Sequence, residues 1–203
     1  MIDIIIPTNK SKKDLRLFLK NLKLSVDVTK FNIIATCFNV SAATNRNYGL
    51  VKSGLNNIVI MCDDDILNFY PGWAESLVKP LENKNVIMVS ARLVNKDNTP
   101  AVMMNIKPDF SKKVIEVKER MLPSACIAFR NDGTKFDEAY EGAGFEDTDF
   151  CMQLNEKYPN GKFVIKNTVK LLHLNEMKNQ LNGQLQKNKQ YFEKKWVLPI
   201  TSK

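Results

Sequence analysis

Three consecutive carboxylates, Asp63, Asp64 and Asp65, follow the apolar run Ile58-Val59-Ile60-Met61-Cys62. Carboxylates this close repel one another unless water or a cation lies between them, and hard divalent cations take oxygen ligands. Side chains alternate along extended backbone. The spacing therefore predicts Asp63 and Asp65 on one side and Asp64 on the other, a D-x-D pair with a supporting residue. Such a pair holds Mg²⁺ or Mn²⁺ while substrate phosphates and water complete the shell. An acidic turn leading into the next element has the same composition.

A second acidic group, Glu146-Asp147-Thr148-Asp149, comes just after Gly142-Ala143-Gly144 and heads a helical pattern that runs to Glu156. The first turn of a helix carries partial positive charge, so carboxylates there stay ionised, and one of them can take a proton from an attacking hydroxyl. Asp147 is the candidate base. Helix capping alone also accounts for Glu146 and Asp147. The single histidine, His173, ends the apolar run Val169 to Leu172, and neutral imidazole is a ligand for Mn²⁺-like ions.

The elements that must position these groups alternate. Met1 to Ile6 reads as a buried strand closed by Pro7, and Ser11 to Leu24 as a helix with Leu15, Phe18, Leu19 and Leu22 inward. Phe31 to Cys37, Asn57 to Cys62, Val86 to Val94, Ser124 to Phe129 and Phe163 to Leu172 read as strands. Ala42 to Val51 and the residues from Pro71 to Val78 read as helices, and Asn95 to Lys118 as irregular chain with a hairpin. This order predicts an α/β fold: a mixed, mainly parallel central sheet with flanking helices and ligands at the carboxyl ends of the strands. At 203 residues one domain is expected, with residues 1–175 as its body and a polar helix near Lys178 to Lys195, within 176–203, packed on it.

Composition narrows the partners. The apolar run at the N-terminus, Ile4 to Ile6, is too short for a signal peptide or a membrane span, so a cytoplasmic location is expected. The four cysteines, Cys37, Cys62, Cys126 and Cys151, lack the spacing of a zinc site or a disulfide framework. A net charge of +8 favours an anionic partner, and from Glu176 onward six lysines face two glutamates.

Taken together, Asp3 to His173 resembles the family 2 type glycosyltransferases with the GT-A (Rossmann-like) fold. Ile4-Ile5-Ile6-Pro7-Thr8 resembles the opening strand with its nucleotide-facing Pro-Thr. Ala43 to Gly49 resembles the A-R-N-x-G helix, and Asp63-Asp64-Asp65 the metal motif. Phe136-Asp137-Glu138 and Gly144 to Cys151 resemble the acidic segment on the acceptor side, with His173 where relatives place a third metal ligand. The resemblance implies donor contacts from Pro7, Thr8, Arg46, Asp63 and Asp64, and metal ligation of Mn²⁺ or Mg²⁺ by Asp65, Asp63 and His173. It also implies Asp147 as general base, with Glu146 and Asp149 holding the acceptor or orienting that base. Relatives end the second strand with an Asp that reads uracil; here Thr36-Cys37-Phe38-Asn39 stands there, which leaves Asn39 and backbone groups to line the base pocket.

The implied reaction moves a sugar, with inversion, from a nucleotide-sugar donor such as a UDP-sugar to an acceptor hydroxyl. Candidate acceptors are a hydroxymethylated base in DNA, as in phage DNA-modifying glycosyltransferases, an acidic glycan or a cell-wall precursor. Other readings compete. A haloacid-dehalogenase-type phosphatase needs a hydroxyl residue where Leu67 stands, and a sugar nucleotidyltransferase needs a glycine-rich loop where Pro7-Thr8-Asn9-Lys10 stands. A nucleic-acid-binding module would use Tyr191, Phe192 and Trp196 among the lysines but leaves the acidic groups without a role.

Overall fold

The computed structural model describes residues 2–38, 40–101, 109, 111–174 and 182–196. In chain order the elements are β1 (Ile2–Thr8), α1 (Lys12–Ser25), β2 (Phe31–Cys37), α2 (Ala42–Ser53), β3 (Ile58–Cys62), β4 (Ile66–Leu67) and α3 (Trp73–Val78). A short 3₁₀ turn, Lys79–Glu82, leads to β5 (Val86–Val94), β6 (Val114–Glu116), β7 (Cys126–Arg130), α4 (Glu146–Lys157), β8 (Lys162–His173) and α5 (Asn182–Trp196).

The strands form one sheet in the order β2-β1-β3-β7-β5-β8-β4, with β6 also paired to β8. β1 pairs parallel with β2 and β3, and β5 parallel with β8, while β7, β4 and β6 run against their neighbours. The sheet is buried on both faces. Ile4 and Ile6 meet Phe18 and Leu22 of α1 and Trp73 of α3 on one side; Ile5 meets Ala43 and Leu50 of α2, and Phe150 and Leu154 of α4 lie in the same cluster on the other. Strand alternation sends successive isoleucines to opposite layers, which is why β1 reads as an unbroken apolar run.

Two caps fix the helices after β1 and β2: the Ser11 side chain accepts from Asp14 N–H, and the Ser41 side chain from Thr44 N–H. Gly49 lets α2 lie close to the sheet, since a Cβ there would stand 2.2 Å from Cγ2 of Ile5.

The structure corrects several boundaries. Pro7 does not close β1; it pairs with Thr36 within the strand. Pairing to β3 has ended at Ile5, so beyond it the strand is bonded on one side only and tolerates a residue without an N–H. The triplet is not extended chain but a turn after β3, closed by Ile66 N–H donating to Asp63 C=O at 3.3 Å. Between Asn95 and Lys118 the bridge from Val94 to Pro100 makes the expected hairpin, and Val114–Glu116 joins the sheet as a strand; residues 102–108 and 110 lie outside the described residues. The expected boundary near residue 175 also lies outside them, as does the start of the polar helix before Asn182. Among the described residues no helix is long and apolar enough to cross a membrane.

Candidate active site

The acidic turn sits where β1, β3 and β8 end. Asp63 N–H donates to Ala125 C=O at 2.8 Å, and Leu174 N–H to Asp65 C=O at 3.1 Å, so the turn is tied to the chain before β7 and after β8. Each carboxylate faces a different partner. Asp64 accepts from the Thr8 hydroxyl, and Lys10 Nζ lies 2.9 Å from its backbone oxygen and 3.6 Å from its Oδ1. Asp65 Oδ2 lies 3.4 Å from His173 Nε2, and Asp63 Oδ1 lies 3.2 Å from an Arg46 nitrogen.

The charges are mutually felt. Burial pushes the Asp63 carboxyl above its ordinary range, Arg46 opposes it, and Asp65 adds to it. Burial likewise raises Asp64, against the Thr8 hydrogen bond and Lys10. Burial alone disfavours the imidazolium of His173, yet the hydrogen bond and charge of Asp65, helped by Asp63, hold its pKa above the usual histidine value.

Arg46 is the junction of the site. It is only 5% exposed, lies 5.4 Å over the Phe136 ring, and joins Asp63 on one side to Glu146 on the other, the latter at 2.7 Å. Burial disfavours its charge, but Asp63 and Glu146 outweigh that and raise its pKa further. Both ends of its fork meet the protein's own carboxylates, in a residue expected to face the base or diphosphate. Glu146, 4% exposed, also accepts from Gly144 N–H, so it ties Arg46 to the glycine loop at the start of α4.

Asp147, half-buried, accepts from Thr148 N–H at 2.7 Å. Its carboxyl is raised to about 6, first by burial and then by the charge of Glu146, with Arg46 opposing. A carboxylate with that proton affinity suits general-base work near neutral pH.

Asp149, expected to hold the acceptor or orient the base, is enclosed by the protein. It is 0% exposed, and Tyr140, Gln153, Lys195 and Trp196 all point polar hydrogens at its carboxylate, at 3.2, 2.7, 2.8 and 2.6 Å. No face of it is left for an acceptor. The segment Phe136 to Glu138 is tied to α2, with Asn47 Nδ2 donating to Phe136 C=O at 2.8 Å and to Glu138 at 2.7 Å. Pro7 lies in β1 beside the buried Thr8, and Asn39 lies outside the described residues.

Among the described residues no three His, Cys, Asp or Glu side chains already converge as a metal cage. A cavity of about 430 Å³ lies elsewhere, lined by Val86, Phe129, Arg130, Leu154, Tyr158 and neighbours, and none of the acidic site residues borders it.

No family model matches the sequence, and no curated protein is similar to it by sequence. Solved structures are similar in shape. GalNAc-T7, in a crystal structure with UDP, GalNAc and Mn²⁺, superposes on 97% of this chain with a TM-score of 0.68 at 11% identity. S. aureus TarS 1-349 covers 85% with a TM-score of 0.60 at 16% identity. Glucosyl-3-phosphoglycerate synthase from Mycobacterium tuberculosis, in complex with Mg²⁺ and UDP, covers 99% with a TM-score of 0.61 at 12% identity. The chain has the GT-A fold. It spans about half the length of GalNAc-T7 (48%), 60% of TarS 1-349 and 81% of the synthase.

Within this GT-A framework the sequence reading missed four residues that shape the site: Lys10 at the Asp64 backbone, Tyr140 on Asp149, and Asn188 and Lys195 of α5. The lysines gave no signal apart from charge. Trp196 stood out only as an aromatic in a basic stretch, and its hydrogen bond to Asp149 spans 47 positions of sequence.

Proposed function

We propose that this protein is a divalent-metal-dependent glycosyltransferase that moves a sugar from a UDP-sugar to an acceptor hydroxyl with inversion. The observation that carries the reading is the chain Asp63–Arg46–Glu146, which fastens the acidic turn to the start of α4 and so brings the D-x-D group and Asp147 into one site. The GT-A fold supports it, as do the nucleotide and metal ions named for its structural neighbours.

The donor set present fits Mn²⁺ or Mg²⁺. Asp65 and His173 already face each other, Asp63 is close enough to affect the proton affinity of both His173 and Arg46, and such ions fill the rest of their shell from substrate phosphates. Asp65, His173 and Asp63 would hold the ion. The chemistry that an ion held by these residues would supply is neutralisation of charge on the departing diphosphate. Thr8, with Asp64 and Lys10, forms the nucleotide side beside Pro7.

Asp147 takes the proton from the acceptor hydroxyl. That oxygen bonds to the anomeric carbon from the face opposite the diphosphate, the bond from carbon to diphosphate oxygen breaks, and UDP leaves with the electron pair. One displacement inverts the anomeric centre. The acceptor is read as anionic from the net charge of +8, with a hydroxymethylated base in DNA as the first to test. α5 supplies less basic surface for this than its sequence promises, because Lys195 is spent on Asp137 and Asp149 and Lys189 faces Glu193 at 3.7 Å.

The test is turnover of a panel of UDP-sugars by the purified protein with Mn²⁺, with hydroxymethylated DNA and acidic glycans as acceptors, read by mass spectrometry. UDP release coupled to a hexose or pentose mass gain on the acceptor is expected. Release of pyrophosphate overturns the reading in favour of nucleotidyl transfer, and absence of turnover across the panel overturns it outright. If DNA is the acceptor, its affinity falls steeply with salt.

A further inference from the structure

The acidic helix α4 begins in a way that its own sequence does not favour. Its N-cap is Phe145 at φ 70°, a left-handed conformation that bulky residues avoid, preceded by Gly144 at φ 110° and Gly142 at φ 64°. No side chain caps the helix from within. A strained entry of this kind persists where surrounding structure over-determines it.

That surrounding structure is α5. Asn188, 3% exposed, donates through one amide nitrogen to the backbone oxygens of Glu141 at 3.0 Å and Gly144 at 2.9 Å, on either side of the bend. The Phe192 ring rests 5.5 Å from that of Phe145. Leu185 packs so closely that a Cβ on Gly144 would stand 2.7 Å from its Cδ1. At the far end of α5, Trp196 Nε1 and Lys195 Nζ both reach Asp149 in the first turn of α4, and Lys195 also reaches Asp137 at 2.6 Å. The tie is strong because Asp149 is wholly buried: removing its donors leaves a carboxylate with no water to replace them.

We propose that α5 is a positioning element for the acceptor side of the site, in which Asn188 holds the Gly142–Phe145 bend and Lys195 with Trp196 holds the first turn of α4, so that Asp147 projects at a fixed place. The inference rests on the proposed role of Asp147 for its effect on turnover, but the mechanical tie stands independently. Asp147 lies two residues from Asp149 on the same turn, so a shift of that turn moves the base, while the Asp63–Asp65 turn keeps its own backbone bonds to Ala125 and Leu174. A misplacement of about 1 Å is enough to cost on the order of 10²-fold in rate.

Four substitutions test this: Trp196→Phe, which removes the indole donor and keeps bulk, Asn188→Ala, and Lys195→Met with Lys195→Arg as its conservative partner. Backbone amide exchange is measured first, because it needs no substrate. Exchange confined to residues 142–150 speeds up in Trp196→Phe and Asn188→Ala, with β1 and β3 as protected as before; unchanged protection of 142–150 overturns the inference. Should Trp196→Phe not fold, Asn188→Ala decides the same question: its amide nitrogen donates only to the backbone oxygens of Glu141 and Gly144, and its side-chain oxygen accepts only from Gln184 of the same helix. In turnover, kcat falls at least about tenfold while KM for the donor stays within about twofold, and Lys195→Arg recovers most of what Lys195→Met loses. Equal loss in both lysine variants, or a rise in donor KM alone, overturns the positioning role. If no donor is turned over at all, the proposed function fails while the exchange result still stands or falls by itself.

Discussion

Asp65 Oδ2 lies 3.4 Å from His173 Nε2 because Ile66 and His173 are direct partners in the antiparallel pair of β4 with β8. Residues separated by more than a hundred positions are thus held together by a two-residue strand. If this pair ligates the metal, Asp65→Ala and His173→Ala each weaken binding of Mn²⁺ plus UDP by at least about tenfold, since even groups that only support a ligand cost 10–100-fold when removed. Isothermal titration with the ion and nucleotide measures it. Equal affinity in wild type and both variants removes the pair from the site.

Arg46 is a buried cation with a carboxylate on each side, so removing it leaves Asp63 and Glu146 facing each other without a counter-charge. Breaking a buried pair in this way costs about 3–5 kcal/mol. Arg46→Met loses stability on that scale in urea unfolding. Arg46→Lys recovers only part of it, because one ammonium on a flexible stem cannot reproduce the fork that spans both carboxylates. The variant Glu146→Gln in the Arg46→Met background adds back stability by relieving one uncompensated charge, and full additivity of the two changes would refute the coupling.

How far the site was legible follows from the range of the interactions. Local patterns placed β2 and β5 well, because apolar periodicity acts within a few residues. The acidic turn and Asp147 stood out for the same reason. Pro7 misled, since whether a proline ends a strand depends on how many neighbours that strand has at that point. Arg46, Glu146 and Asp149 were seen as residues, but not the partners that hold them: a carboxylate tied to α2 and one locked under α5 have the same local sequence. What separates them is a partner 100 positions away for Glu146 and 47 away for Asp149, which no local pattern encodes.

Gly49 in α2 tests the packing that carries Arg46 and Asn47. A methyl there meets Cγ2 of Ile5 at 2.2 Å, and both sit between a helix and the centre of the sheet, where neither retreats cheaply. Gly49→Ala, despite the better helix propensity of alanine, destabilises by about 1–3 kcal/mol through overpacking. Adding Ile5→Ala removes the clashing carbon, so the double variant is more stable than the sum of the two single losses. Thermal unfolding of the four chains of the cycle reads the coupling directly.

Asp147 gives opposite signs for activity and stability. Its carboxyl is raised from 3.8 to about 6 by burial and by Glu146, so as a base it works only when deprotonated. On that account kcat/KM rises through a midpoint near pH 6 and flattens above about pH 7, and Asp147→Asn lowers transfer by about 10²–10⁴-fold without that limb, leaving donor binding intact. For stability, a folded pKa above the unfolded one means the fold prefers the protonated acid: its contribution is whole below pH 3.8 and is lost as pH rises through about 6. At pH 7–8 the wild type therefore carries a cost that Asp147→Asn does not, and the variant melts at a higher temperature there. The gap closes toward pH 4. A variant that is inactive and more stable at neutral pH, with the difference vanishing in acid, marks a carboxylate kept ionised against its surroundings for the sake of its chemistry; one that is inactive and less stable across the whole range marks a structural residue instead.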